Sequence, residues 1–245
     1  MTAMTSVLAI EKSETALAGS ADAARAFLYA YLSRCFAYPD PGFAELGPAG
    51  GDSIAAAATV ALDPALAIDV AAALAPHSAE SLAAEHTRIF TTGFAAPATE
   101  TAYELDKAAR RSAELADING FYRAFGFALA SPVEADGLVA ELEFLSHLLH
   151  MRLHAEATGK GEGVEICGSA YRAFLTDHVG RWVETFVMRL DETDSSFYRT
   201  VGRLLAALVA AEVAREGGTP TRVGEYRPEA DGSSSWPCQV GPVPA

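Results

Sequence analysis

From residue 20 to residue 216 the apolar side chains recur at intervals of three and four, never in sustained alternation, and no β-branched run is bounded by hairpin signals. This periodicity predicts an all-α chain folded as a single-domain helical bundle. The first helix starts after Ser20 as N-cap, sets Leu28, Tyr31, Leu32, Cys35 and Phe36 on one stripe, and stops at Pro39-Asp40-Pro41. Alanine-rich pieces over 53–61 and 64–74 follow, and Ser78 caps a helix expected to reach Phe90. An irregular stretch with Gly93 and Pro97 leads into a helical segment over 100–125. Ser131-Pro132-Val133-Glu134 combines a capping Ser, Pro at the first helical position and a Glu that closes a capping box, so a long helix is expected to begin there and to stop at Gly159. It carries Leu138, Leu142, Leu145 and Leu149 on one stripe and Phe144, Leu148 and Met151 on another. Two more helices are expected, over 164–190 with a bend at Gly180, and over 194–216 with Gly217-Gly218 as the stop. Residues 1–19 and 217–245 lack periodicity and read as irregular flanks of a domain spanning 20–216.

Composition narrows the class. With 245 residues and 50% hydrophobic side chains, one substantial core is the expectation. The longest apolar runs fall well short of the roughly 20 residues a membrane span requires, and no basic residue precedes the short run Val7-Leu8-Ala9-Ile10, so no export signal is expected. Three widely spaced cysteines without a CxxC suggest neither a disulfide framework nor a zinc site, and a reducing cytoplasm fits them best. The formal charge of −14 repels phosphate backbones, which argues against nucleic acid and leaves an acidic groove for a basic peptide as an option beside plain solubility.

The candidate chemistry is sparse. Glu143, His147, His150 and His154 share the polar stripe of the long helix, but residues seven apart lie about 10.5 Å apart along the axis, too far for one ion. A bundle di-metal centre would need ExxH, which the chain lacks, and neither GxSxG nor a glycine-rich phosphate loop is present. No catalytic residue, cofactor or metal is therefore expected. The irregular segment stands out instead, because Phe90, Phe94 and Tyr103 place aromatic surface beside Glu100 and Glu104. Aromatics with a few fixed carboxylates suit a peptide-binding surface.

Four motifs in order carry a resemblance. They are Glu85-His86-Thr87-Arg88-Ile89-Phe90 followed by Pro97 and Glu100-Thr101-Ala102-Tyr103; Asp136-Gly137-Leu138 leading into Glu141-Leu142-Glu143-Phe144-Leu145; Phe174-Leu175 with His178, Trp182 and Phe186; and Phe197-Tyr198 with Leu204-Leu205. The set resembles the cytoplasmic chaperones that mature molybdoenzymes, the trimethylamine-oxide and dimethyl-sulfoxide reductase chaperones with the nitrate reductase assembly factor as a relative. The resemblance implies an all-α chaperone, not an enzyme. Such a protein binds the apo form of a molybdopterin-containing catalytic subunit and its N-terminal signal peptide, usually twin-arginine, and delays export until cofactor is inserted. It places Phe94, Glu100, Tyr103 and Asp136 on the binding surface with Phe90 shaping it from below, and Trp182 and Phe174 in the core. Two departures limit the transfer: the family's His after Asp136 is Gly137 here, and its acidic residue three before Asp136 is Val133. A helical metal protein built on His147, His150 and His154, and a subunit retained in the mature complex, are the alternatives; monomer and homodimer are both compatible with the pattern.

Overall fold

The computed structural model describes residues 20–40, 77–92, 95–103, 107–129 and 134–223, with isolated positions between Phe43 and Ala72. Seven α-helices organise them: α1 (Ala21–Phe36), α2 (Ala79–His86), α3 (Lys107–Ala124), α4 (Leu138–Ala157), α5 (Gly161–Phe174), α6 (Gly180–Asp191) and α7 (Ser196–Glu216). A π-helical turn, Thr87–Thr92, extends α2, a second, Leu175–Val179, joins α5 to α6, and a 3-10 turn, Glu100–Tyr103, precedes α3. Among the described residues there is no strand, only an isolated antiparallel bridge between Thr99 and Gly137. The predicted all-α class is what the chain adopts. No helix among the described residues is long and apolar enough to cross a membrane.

Helix α4 is central, packing along α1 and α5, while α6 pairs with α7. Its two apolar stripes explain this, since Leu138, Leu142, Leu145, Leu149, Phe144 and Leu148 are all buried and only Met151 lies half-exposed. Each such side chain contributes about 1.5–3 kcal/mol by leaving water. Ser146 tightens the α1–α4 contact by donating to the Ala26 carbonyl at 2.8 Å. The end signals of α7 act as their chemistry requires: Ser195 accepts from the Tyr198 backbone N–H at 3.2 Å, and Gly217 closes the helix in the left-handed conformation at φ 68°. Gly159, at φ 67°, stops the chain after α4 in the same way.

Helix α1 starts after Ser20 as read, and two other boundaries depart from the sequence reading. Ser20 has the extended N-cap backbone but its side chain makes no capping bond. Helix α4 begins at Leu138, not at the Ser-Pro signal; Glu134 is exposed and the chain turns there so that Glu100 N–H donates to the Asp136 carbonyl and Leu138 N–H to the Ala98 carbonyl, both at 2.9 Å. Long-range backbone pairing thus overrides a local start signal, while Ser131, Pro132 and Val133 lie outside the described residues. The segment expected to bend at Gly180 instead carries its irregularity over Leu175–Val179, and Gly180 begins α6. Most of 53–61 and 64–74 also lies outside the described residues; Ile54 and Ala56 to Ala58 are helical.

Candidate functional site

The 3-10 turn Glu100–Tyr103 is held from below by α4 and α6. Asp136, in the turn before α4, accepts from the Thr101 hydroxyl at 2.6 Å and from the Thr101 N–H at 3.3 Å. Tyr103 donates to the Pro97 carbonyl at 2.9 Å and stacks on Trp182 of α6 at a centroid distance of 5.5 Å. The Trp182 indole N–H in turn donates to Glu141 of α4 at 3.0 Å. A buried indole requires an acceptor, and Glu141 is the residue that meets the requirement.

Charge gathers on the other side of the same turn. Glu100 accepts from His178 Nδ1 at 3.0 Å and faces Arg181 at 3.3 Å. Arg181 also reaches Glu114 of α3 at 3.3 Å, and His178 Nε2 lies 3.3 Å from Asp117. Burial works to lower the His178 imidazolium, but the hydrogen bond and charge of Glu100, joined by Asp117 and Glu114, outweigh it and hold His178 above the usual histidine range. Burial pushes Glu141 well above the carboxylate range, and the nearby charge of Glu100 adds to the push. Glu100 is raised as well, by its own burial, against which the hydrogen bond and charge of His178 and the charge of Arg181 act.

The sequence-predicted residues divide into groups. Glu100 is 0% exposed, Tyr103 1% and Asp136 2%, so all three come together beneath the surface instead of forming it. This corrects the expectation of an open surface made from them; their polar atoms are engaged by Thr101, Pro97, His178 and Arg181. Phe90 is half-buried in an aromatic cluster, 4.8 Å from His86 and 5.0 Å from Tyr198 between ring centroids, with exposed Tyr38 beside His86 at 5.4 Å. Phe94 and Glu104 lie outside the described residues. Trp182 and Phe174 are core, as expected. A Cβ at Gly137 would meet the Glu134 carbonyl at 3.0 Å, so the histidine of the family pattern would need that turn to give.

The histidine stripe of α4 does not converge. His147 bonds the Phe125 carbonyl at 3.1 Å and His150 the Ser146 carbonyl of its own helix at 2.8 Å. Sequence reasoning missed Glu114, Asp117 and Arg181, which belong to ordinary helical faces. The available signal was His178 and Trp182, two side chains that need polar partners when buried.

Comparison with known proteins matches residues 52–188 to the family model described as nitrate reductase delta subunit. The chain belongs to this family of molybdoenzyme maturation chaperones. It is 32% identical over 204 residues to the selenate reductase assembly chaperone protein of Thauera selenatis, covering 81% of this chain and 93% of that one. It is also 32% identical over 152 residues to the chlorate reductase assembly chaperone protein of Ideonella dechloratans, covering 60% of this chain and 77% of the relative. Both relatives are chaperones by name and neither is a catalyst, so the chain stands with non-enzymes.

Proposed function

We propose that this chain is a cytoplasmic, system-specific chaperone that binds the apo catalytic subunit of a molybdopterin oxidoreductase of the dimethyl-sulfoxide reductase type. It also takes that subunit's N-terminal signal peptide, of the twin-arginine kind, and holds both until cofactor is inserted. The observation that carries the reading is the alignment over 93% of a selenate reductase assembly chaperone. The net charge of −14 supports a partner that joins cations to an apolar helix-forming stretch. In this reading Phe90 and Phe94 supply apolar contact, while buried Glu100, Tyr103 and Asp136 fix the 3-10 turn.

The test is a pull-down with the tagged chain from its native cytoplasm, with bound proteins identified by mass spectrometry and assayed for molybdenum cofactor. A cofactor-free catalytic subunit in the eluate is the expected result. Recovery of cofactor-loaded, active enzyme would instead mark a retained subunit, and recovery of no such subunit would end the chaperone reading for this chain. Binding to a synthetic basic signal peptide is expected to weaken with added salt, because exposed charge pairs are screened over about 8–10 Å near physiological ionic strength.

A further inference from the structure

Three buried carboxyl groups gather beneath the 3-10 turn: Glu100 from the turn itself, Glu141 from the first turn of α4, and Asp136 from the residues that precede α4. A buried carboxylate keeps its charge only where donors or cations replace the water it has lost. Asp136 has the hydroxyl and N–H of Thr101, and Glu100 has His178 and Arg181. Glu141 has one neutral donor, the Trp182 indole on Oε2, and among the described residues no donor reaches its buried Oε1.

A side-chain hydrogen bond nevertheless joins Glu141 to Glu100. Ionised carboxylates are acceptors only, so this bond exists only while a proton lies between the two groups. The proton belongs to the pair and not to either residue. Burial favours its retention, and Asp136 adds negative charge on the Glu141 side. On the Glu100 side Glu114 of α3 also favours it, while His178 of the π turn and Arg181 of α6 oppose it, with Asp117 behind His178. Tyr122 of α3 faces the same three carboxyls and Glu143, and burial together with their charge keeps its phenol neutral.

Glu141 stands on the central helix, whereas Glu100 opens the 3-10 turn. Their bond ties the turn to α4, alongside the Asp136 contacts to Thr101, and it depends on one proton. Loss of that proton leaves two buried carboxylates side by side, which repel each other.

We propose that Glu141 and Glu100 form a proton-held latch that fixes the 3-10 turn on α4 and lets the turn loosen when the proton leaves. Where that turn helps to hold a client, as in the chaperone reading, the latch makes the grip depend on pH; only this consequence rests on that reading.

The experiment uses the full chain carrying Trp236→Phe, which leaves Trp182 as its one tryptophan. Three signals are followed as pH rises from the ordinary carboxylate range: the infrared stretch of a protonated carboxylic acid, Trp182 emission, and exchange of the Glu100 and Thr101 amide hydrogens, both of which are bonded to Asp136. Glu141→Gln keeps an acceptor for Trp182 and offers Glu100 a permanent N–H donor, so it is expected to lack the acid band and to show no step. In the parent the acid band is expected to vanish over the same pH step in which Trp182 emission shifts. Across that step the two amides are expected to exchange about tenfold or more faster than in Glu141→Gln at equal pH, a ratio that cancels the base catalysis of exchange itself. Glu100→Gln removes the repelling charge and is expected to move the emission step to lower pH, which a merely structural role would not do. If Glu141→Gln does not fold, the parent's acid band and the Glu100→Gln shift carry the decision. No acid band in the parent, or amide exchange that follows Glu141→Gln at every pH up to unfolding, overturns the latch. Binding of a synthetic peptide that joins two arginines to a leucine-rich helical stretch is expected to weaken across the step in the parent and to stay level in Glu141→Gln. Equal pH dependence in both overturns the regulatory role, whereas a peptide that binds neither overturns the signal-peptide reading and leaves the latch to be judged on the first three signals.

Discussion

Two buried charge networks in this molecule have similar ingredients and opposite geometry. At one end of the bundle, Arg25 of α1 pairs with Asp22 one turn earlier and with Glu212 of α7 at 2.7 Å, and Tyr171 of α5 donates to the same Glu212 oxygen at 2.7 Å. Arg152 of α4 closes on Asp22 at 3.1 Å, and the Tyr29 and Tyr171 hydroxyls meet at 3.0 Å. In the other network Arg181 lies 3.3 Å from both Glu100 and Glu114, with Asp117 mostly exposed at its edge. The first fastens the start of α1 to the end of α7 with short contacts. The second spreads over a turn, a helix and a π turn, with the His178–Glu100 bond at 3.0 Å at its centre and Arg181 reaching across to α3. Both tie together elements far apart in the chain, the first sealed from water and the second opening to it at Asp117.

The contrast can be broken by substitution. Arg25→Met should have the largest effect, a loss of about 3 kcal/mol in denaturant unfolding, because buried Glu212 and Asp22 would lose the cation they share and keep only Arg215 and Arg152 at their edges. Asp136→Asn follows, at about 1–2 kcal/mol, since Asp136 satisfies both the hydroxyl and the N–H of Thr101. An unchanged melting temperature in that variant would show that the turn does not depend on Asp136. Glu141→Gln should matter chiefly as pH rises above the ordinary carboxylate range. The folded-state pKa of Glu141 lies above its unfolded value, so its contribution is complete at low pH and is lost as pH rises through the folded value. The glutamine variant, which keeps an acceptor for Trp182, is therefore expected to lose less stability than the parent as pH rises from the ordinary carboxylate range through the raised folded value. Smallest of all, Glu114→Gln should change unfolding by no more than about 0.5 kcal/mol, as a half-buried partner in a long pair.

The sequence carried much of the helical frame because caps and stops are local chemistry. Ser78, Gly159 and Gly217 act where they were read. The start of α4 was misread because the bridge from Thr99 to Gly137 joins positions far apart in the chain and outweighs a capping box. The site was half legible. Glu100 and Asp136 were singled out, yet a carboxylate in an irregular segment reads as surface, and nothing local reveals that His178, 78 positions away, draws Glu100 inward. Glu114 was not singled out because its helix, α3, exposes much of its length and shows no distinguishing pattern.

The π turn at Leu175–Val179 sets the phase of everything after it. Widening one helical turn by a residue shifts the angular position of each later side chain by about 100° relative to an uninterrupted α-helix. Trp182 and Phe186 reach the core, and His178 and Arg181 reach Glu100, only in that shifted phase. Removing the single residue Thr176 would thus be absorbed by closing the π turn to an α turn, with α5 and α6 keeping their faces, whereas a one-codon deletion inside α6 would rotate every later side chain of that helix by about 100°.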